Sequence, residues 1–479
     1  MAANIRKLAY FLTGLFIILI IYLFYLNFWQ GPVLANHPYN KRAVALEAKI
    51  QRGTIYDCHG VVLAKTVAQG GLKKRIYPQG EDFAPLIGFV SLRYGHTGLE
   101  SVYNQELLGI SKVSKLKNFI NRLARRPQTG NDLILTLDAN LQHLARQLLN
   151  NQRGAIVALD PKTGAVLALA SAPGYDPNTI DRLVNLGPGK KITEFDLLKK
   201  DPAAPFLNRA TQGVYPPGSI FKIITLAGAL TYIPEVTHGT YNCTGSLIID
   251  GFRLTDHAVH GEVYFQQALA VSCNAYFARL GLALGQDKFY QNALSFGFNQ
   301  NPRDGEKLWR EIYMPGKIPP PGQISKPELA SSAIGQGQIT VSPLQMALAA
   351  AGIANAGVIM KPYFLQEVRS PNGKTLKKTA LKKWKTATTP LVAGLVNEAM
   401  RAVIERGTGQ AAAIPGFNVA GKTGSAQNPQ GKTHAWFVGF APAENPRVVV
   451  AVVVEQKGAG GIVAAPIARE ILRAALINR

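Results

Sequence analysis

An uninterrupted apolar run near the N-terminus, residues 8–29, is the feature that most limits how this chain can fold. The run contains no charged residue, and a helix needs roughly 20 such residues to cross a bilayer. A secretory signal core is usually only about 7–15 residues long, so an uncleaved transmembrane anchor is predicted. Arg6 and Lys7 precede the run and favour a short cytoplasmic tail. Residues 30–479 are therefore expected outside the cytoplasm.

The composition is that of a folded chain with several domains. A length of 479 residues allows two or three domains, and a charged fraction of 17% makes gross disorder improbable. The net charge of +23, beside an anchor, indicates polyanionic envelope partners such as lipid head groups and lipid-linked precursors, and no nucleic acid. Basic residues concentrate in 112–126, a predicted amphipathic helix, and in 374–385, a predicted loop or hairpin edge. A solvated face is the favoured interpretation of both segments, and a surface near the membrane or a partner is the alternative for 112–126.

A first motif, residues 219–222, places Ser219 and Lys222 three positions apart at a predicted helix start. Pro and Gly precede it, and apolar residues follow at helical spacing. Residues i and i+3 share a helix face, with Cβ atoms about 5–6 Å apart. A serine hydroxyl needs a base to take its proton, and Lys222 is placed to do so if burial or nearby positive charge keeps its amine neutral. Taken alone, the pair fits a helix cap beside a solvated lysine better.

Two further motifs follow in the chain. The second is Ser272-Cys273-Asn274, and the third is Lys422-Thr423-Gly424, placed after a predicted strand at 417–420. Ser-x-x-Lys, Ser-x-Asn and Lys-Thr-Gly in this order are typical of penicillin-binding proteins and class A β-lactamases. Residues 335–337 (GQG) and 434–442 (HAWFVGFAP) also closely resemble the high-molecular-weight penicillin-binding proteins.

The resemblance extends toward the N-terminus. Residues 52–57 (RGTIYD) and 98–100 (GLE) resemble two motifs of the class B pedestal, and residues 135–138 (LTLD) resemble the entry to the transpeptidase domain. Cys58 stands where the pedestal motif commonly carries Arg. From residue 52 to the C-terminus the chain is identified as a member of the class B penicillin-binding proteins, which are peptidoglycan D,D-transpeptidases.

This resemblance implies an α+β architecture: a transpeptidase fold, in which helices cover an antiparallel sheet, preceded by a strand-rich pedestal and one transmembrane helix. The expected divisions are a cytoplasmic tail (1–7), the anchor (8–29), a linker (30–45), a dimerisation-type pedestal (46–130) and the transpeptidase domain (131–479). Strands are predicted at 154–160, 165–171, 436–440 and 447–455. Helices are predicted at 219–231, 342–356, 390–406 and 464–478.

The resemblance also implies the roles of the motif residues. Ser219 attacks the penultimate D-Ala of a stem peptide, Lys222 is the base for acylation, and Ser272 relays a proton to the leaving amine. Asn274 binds the substrate amide and helps to hold Lys222, while Lys422 supplies positive charge. The substrate carboxylate is bound by the segment Thr423, Gly424 and Ser425, and the backbone N–H groups of Ser219 and Ser425 form the oxyanion hole. β-Lactams are expected to trap the acyl-enzyme.

The resemblance also implies a set of binding partners, and it leaves two other classes of function open. Stem peptides, the lipid-linked precursor, β-lactams and a polytopic membrane glycosyltransferase of the shape, elongation, division and sporulation group are the implied partners; no cofactor and no metal is expected. A D,D-carboxypeptidase or β-lactamase-like hydrolase is one alternative, and a non-catalytic β-lactam sensor or scaffold is another. The three cysteines form no disulfide framework, although pairing of Cys243 with Cys273 stays open. Packing is the favoured role of Cys273, and a structural role is favoured for His434.

Overall fold

The computed structural model describes residues 2–30, 50–69, 72–110, 129–150, 152–187, 189–302, 312–429 and 431–477. The basic segment 112–126 lies outside the described residues, as does most of the linker 30–45.

The helices are α1 Ala2–Tyr25, α2 Ala84–Ile87, α3 Gly98–Val102, α4 Asn104–Leu107, α5 Ala139–Leu149, α6 Glu194–Lys199, α7 Lys222–Tyr232, α8 Phe265–Ala270, α9 Asn274–Ser295, α10 Lys326–Ala333, α11 Pro343–Ala354, α12 Pro390–Arg406 and α13 Gly460–Ile477. The strands are β1 Ile55–Tyr56, β2 Val62–Gln69, β3 Leu72–Ile76, β4 Val90–Ser91, β5 Gly95–His96, β6 Asp132–Leu135, β7 Gly154–Leu159, β8 Val166–Ala172, β9 Leu183–Asn185, β10 Lys191–Thr193, β11 Tyr241–Cys243, β12 Ser246–Ile249, β13 Phe252–Thr255, β14 Gly261–Val263, β15 Val358–Met360, β16 Leu365–Arg369, β17 Thr375–Lys378, β18 Lys383–Thr386, β19 Ala420–Asn428, β20 Gly431–Ala441 and β21 Val448–Val454.

Helix α1 carries the apolar N-terminal run. Within the described part of the chain, one helix is long and apolar enough to cross a membrane, the 22 residues Asn4–Tyr25 of α1. None of its most apolar window is buried against the rest of the protein. A helix that is apolar on all sides and has no protein cover is typical of a membrane span.

A five-stranded antiparallel sheet forms the centre of residues 131–479, in the order β19-β20-β21-β7-β8. Strands β7, β8 and β21 are buried along their whole length. Alternate residues of β21 point into two different cores: Val449, Ala451 and Val453 into one, and the residues between them into the other. Because helices cover both faces, these strands are continuously apolar instead of alternating. The prediction of an antiparallel sheet covered by helices is confirmed.

The predicted strand at 417–420 is wrong. The strand begins at Ala420 and runs to Asn428, so the third motif lies on the strand itself. Lys422 pairs with Val438, and Gly424 pairs with Trp436 of β20. Glycines and small residues are typical of a strand end, which is why the sequence predicted one before this segment. Within the strand they instead allow another part of the backbone to approach closely.

A second sheet joins the predicted pedestal, residues 46–130, to the part of the chain that follows it. It has six strands in the order β17-β16-β6-β1-β2-β3. Strands β1–β3 precede residue 130, and the other three follow it, with β1 and β6 running parallel. The lysine-rich segment 374–385 contributes β17, the exposed edge strand of this sheet, and β18, which pairs with β15. Lysines at an edge strand oppose pairing with another chain.

The two motifs of the predicted pedestal, residues 52–57 and 98–100, meet in a buried ion network. Glu100 is fully buried and accepts from Arg52 Nε and Arg75 Nε, each at 2.7 Å. Burial raises the pKa of Glu100, but the two guanidinium groups outweigh it and hold that pKa below its usual value. Glu100 is therefore ionised, and it fixes α3 against the segment that leads into β1.

Candidate active site

The first motif lies at a tight turn pressed against β19. Residues Gly218–Phe221 form a 3₁₀ turn, and the α-helix begins at Lys222 instead of at the predicted Ser219. Gly218 has φ of 57°, and a Cβ there would come within 3.1 Å of Ala426 Cα, so glycine is required at this approach. Trp436 Nε1 donates to Pro216 O at 3.2 Å and ties the entering chain to β20. Ser219 is half-buried at the start of this turn.

Lys222 connects the first motif to the second. Its side chain is completely buried. Its Nζ donates to Ser272 O at 2.6 Å, Ser272 Oγ at 3.2 Å and Asn274 Oδ1 at 2.7 Å. Across the described residues, the Ser219 hydroxyl forms no hydrogen bond to Lys222 or to any other side chain. Such contacts commonly tighten only when substrate binds.

The second motif has an unusual backbone shape that directs it at Lys222. Ser272 has φ of 60°, a left-handed conformation that non-glycine residues rarely adopt. Cys273 follows as the N-cap of α9 and accepts from Tyr276 N at 3.4 Å. This turn presents both the carbonyl and the hydroxyl of Ser272 to one ammonium group, which is the kind of constraint found at functional sites.

Asp256 holds the second motif in place, and sequence reasoning missed it. Its carboxylate accepts from Asn274 N at 2.5 Å and from Ala275 N at 2.9 Å. The side chain is fully buried. Asp256 comes directly after β13, in a hairpin well before the second motif, and no spacing in the sequence connects the two.

The third motif brings a second buried lysine to the same hydroxyl. Lys422 Nζ donates to Ser272 Oγ at 3.0 Å and to Thr423 O at 2.9 Å. Ser272 Oγ therefore lies between the two ammonium nitrogens. Thr423 Oγ1 is 2.6 Å from Thr408 Oγ1, a contact that the sequence did not indicate.

Gly424 and Ser425 continue the third motif along the same strand. A Cβ at Gly424 would meet Ile220 and Trp436 at 3.1 Å, so glycine lets the strand lie against the turn that carries Ser219. Ser425 Oγ accepts from Gly460 N at 3.4 Å. The predicted carboxylate-binding segment thus borders the predicted nucleophile.

Burial sets the protonation of both lysines. Loss of solvation lowers the pKa of Lys222 to about 7, and the nearby Asp256 and Cys273 act in the opposite direction. Loss of solvation also lowers the pKa of Lys422 well below its usual value, and the charge of Lys222 lowers it further. Either burial or nearby positive charge could keep the Lys222 amine neutral, and burial is the dominant cause.

Three other residues singled out in the sequence, one histidine and two cysteines, lie beside the site. The His434 ring packs edge-on against Tyr215 with centroids 5.5 Å apart, and its Nδ1 accepts from Gln456 N at 3.3 Å. Burial lowers the pKa of His434. Cys243 and Cys273 are free thiols, and both lie against Asp256 Oδ2, at 3.4 and 3.3 Å. Burial raises the pKa of Cys273, which disfavours a nucleophilic thiolate.

The arrangement suits acyl transfer. It offers a half-buried serine on a tight turn, a buried amine whose pKa is about 7, and a hydroxyl bridging two amines through which a proton can pass. Lys222 and Lys422 also make the site attractive to a carboxylate when they are protonated.

Comparison with known proteins supports this assignment. Residues 154–473 match the model of the penicillin binding protein transpeptidase domain, and residues 52–133 match that of the penicillin binding protein A dimerisation domain. The chain is 34% identical to the peptidoglycan D,D-transpeptidase PbpA of Mycolicibacterium smegmatis, over 99% of both chains. It is 33% identical to the peptidoglycan D,D-transpeptidase MrdA of Acinetobacter baumannii, over 85% of this chain and 66% of that one. It is also similar to a penicillin G acyl-enzyme complex of penicillin-binding protein A from Mycobacterium tuberculosis, with a TM-score of 0.80 and 32% identity over 89% of this chain and 100% of that one.

Proposed function

The chain belongs to the class B penicillin-binding proteins, and from that premise we propose that Ser219 is the nucleophile and Lys222 the acylating base of its D,D-transpeptidase reaction. The protein is a serine-type peptidoglycan D,D-transpeptidase that cross-links stem peptides and is a target of β-lactams. Ser219 Oγ attacks the penultimate D-Ala carbonyl, the terminal D-Ala leaves, and an ester to Ser219 forms. An amine from a neighbouring stem then displaces the serine and forms the cross-link. Covalent catalysis divides one difficult acyl transfer into these two steps.

The burial of Lys222, directly after the turn that carries Ser219, is the observation that supports this assignment. An amine with a pKa of about 7 is neutral in half of the molecules at pH 7, so it can accept the hydroxyl proton. Ser272 Oγ, 3.2 Å from Lys222 Nζ and 3.0 Å from Lys422 Nζ, is the proposed relay to the leaving amine. Asn274 fixes Lys222 through Oδ1, while its Nδ2 donates to Thr255 O at 3.0 Å.

We assign the substrate carboxylate to the third motif. Lys422 provides positive charge, and Thr423 and Ser425 provide hydroxyls from one strand that borders the Ser219 turn. The backbone N–H groups of Ser219 and Ser425 are the proposed oxyanion donors. Loss of one such donor typically costs about 3 kcal/mol in the barrier.

The proposed location of the protein rests on α1. We propose that residues 1–7 are cytoplasmic, that 8–29 span the membrane, and that the linker (30–45), pedestal (46–130) and transpeptidase domain (131–479) lie outside the cytoplasm. The apolar, uncovered helix supports this topology. A polytopic membrane glycosyltransferase remains the partner that the family resemblance implies.

A labelled penicillin tests the assignment. Wild-type full-length chain is expected to form one stable adduct, mapped to Ser219 by mass spectrometry. Ser219→Ala should lose labelling while it stays folded, and Lys222→Arg should lose most of it because arginine cannot become a neutral base. Ser370→Ala, in an exposed turn, is the matched control and should label normally. An adduct elsewhere, or normal labelling of Ser219→Ala, contradicts the mechanism, and rapid release of the adduct indicates a hydrolase.

A further inference from the structure

A basic cavity of about 740 Å³ lies between the predicted pedestal and the segment that follows β8. One carboxylate lines it, that of Asp181, which accepts from Ser91 Oγ at 2.6 Å. Its permanently charged basic side chains are Arg52, Lys73, Lys74, Arg75 and Arg182. The proposed transpeptidase mechanism uses none of these residues, so the concentration of positive charge needs another explanation.

The cations of this cavity exceed the carboxylates that reach them. Arg52 and Arg75 share the single carboxylate of Glu100, each at 2.7 Å, so these three residues together keep one positive charge. Arg182 is balanced by Glu194 at 2.9 Å. Two lysines of β3, at positions 73 and 74, form no ion pair with any described residue. After Asp181 is counted, an excess of two positive charges lines the cavity.

One of the cations also has a buried nitrogen without an acceptor. The Arg75 side chain is only 4% exposed. Its Nε donates to Glu100, and its Nη1 donates to Gly53 O at 2.7 Å and to Thr66 Oγ1 at 3.2 Å. Its Nη2 is buried, and the described residues offer it no hydrogen-bond acceptor. Native proteins seldom leave a buried N–H group unpaired, and a bound ion or water is a common acceptor.

The donors and the charge select the class of ligand. Guanidinium and ammonium groups together bind the oxygens of phosphate well. A phosphate monoester carries about −1.5 to −2 charges at neutral pH and offers three acceptor oxygens. One such group therefore balances the excess of two positive charges, whereas a single carboxylate balances only half of it.

The cavity has room for the molecule that carries the phosphate. Its volume is much larger than that of one phosphate group. Lys74 and Leu92 line it and are exposed, Leu92 by 68%, so a ligand can enter from solvent. Leu92 also offers apolar surface beside the cations, which suits a lipid better than an inorganic ion.

We propose that this cavity is a binding site for a phosphate group, which contacts Lys73, Lys74 and the unpaired Nη2 of Arg75. The phosphate is free or is carried by a lipid head group. Because Arg75 also holds Glu100, a bound phosphate would add to the buried network that fixes α3. The net charge of +23 indicated anionic partners without locating a site for them, since the cations of this cavity come from separate segments.

A second basic cavity, of about 430 Å³, provides an internal control. It is lined by Lys377 and Lys378 of β17, which is the opposite edge of the six-stranded sheet from β3. Both lysines are exposed, and among the described residues none of its lining side chains has a buried nitrogen without a partner. Replacing these two lysines removes the same charge from the same sheet but leaves the proposed site intact.

The test uses the full-length chain in a phosphate-free detergent. It is titrated by calorimetry with inorganic phosphate and with dihexanoyl phosphatidic acid, a soluble lipid whose head group is a phosphate monoester. We expect one site per chain, with binding that weakens as salt is added. Lys73→Gln combined with Lys74→Gln should weaken the binding of both probes about 10-fold. Lys377→Gln combined with Lys378→Gln should bind as the wild type does.

The two probes distinguish the carrier of the phosphate. Tighter binding of the lipid, with the gain lost in Leu92→Ser, supports the site and assigns it to a lipid head group. Equal binding of the two probes supports the site and assigns it to phosphate on a soluble molecule.

A measurement on the wild type guards against variants that fail to fold. Inorganic phosphate should protect Lys73 and Lys74 from acetylation, read by mass spectrometry, and should leave Lys377 and Lys378 at their phosphate-free rate. The proposal is overturned if neither probe binds at one per chain, if the β17 variant weakens binding as much as the β3 variant, or if phosphate leaves the acetylation of Lys73 and Lys74 unchanged.

Discussion

The pH dependence of acylation tests the central role of Lys222. If its neutral amine accepts the Ser219 proton, the second-order rate of β-lactam acylation should follow the neutral fraction. With a pKa of about 7, that fraction rises as the pH increases. The rate should therefore fall in acid, pass its midpoint near neutrality and level off in mild alkali.

The magnitude follows from the burial of Lys222. With a midpoint at about pH 7, the neutral fraction rises about 10-fold between about pH 6 and pH 8, and then gains only about a tenth more. A lysine at its ordinary value of 10.5 would be neutral in roughly one molecule in 3,000 at neutral pH, and its rate would rise about 100-fold over the same interval without a plateau. The presence of the plateau therefore distinguishes a buried base from a solvated one.

The assay is stopped-flow or quenched labelling of the full-length chain with a fluorescent penicillin, at constant ionic strength. His434, which packs against Tyr215 beside the site, is a second group that could titrate in this range, and Lys422, whose pKa burial also lowers, is a third. His434→Gln should therefore keep the wild-type midpoint. A rate that climbs steadily to high pH, or a midpoint that disappears in His434→Gln, would refute the assignment of Lys222 as the neutral base.

Three further outcomes are expected. Glu100→Ala leaves Arg52 and Arg75 buried without their counter-ion and should lower the free energy of unfolding by about 3–5 kcal/mol, measured by denaturant titration; a loss below about 1 kcal/mol would contradict the buried network. Ser425→Ala should weaken penicillin binding while slow acylation persists, because one hydroxyl to the ligand carboxylate is lost; a normal apparent binding constant from the concentration dependence of labelling would argue against that contact. Edman sequencing of protein from native membranes should begin at the original N-terminus, and a start near Asn36 would show that the apolar run is a cleaved signal.

Local sequence patterns were sufficient for much of the fold. The helix predicted at 390–406 has those bounds, because Thr389 caps it and Pro390 suits its first turn. The strands near 154–160 and 447–455 were evident because long β-branched and apolar runs fit a sheet covered on both faces. The third motif was assigned to a strand end because its glycine and small residues lack that pattern, although the packing against Trp436 and Ile220 requires them.

The residues of the site were predicted from the order and spacing of three motifs, and their chemistry was decided by packing. No local pattern reveals that Lys222 and Lys422 are both fully buried against one hydroxyl, yet that burial makes a neutral amine available. Asp256 and the thiols around it come together only because the β11–β14 ribbons fold back onto the start of α9. The sequence determined which groups were available, because the type and periodicity of residues are local properties. The tertiary structure decided which of them meet and how they are protonated, because both depend on contacts between distant segments and on the exclusion of water.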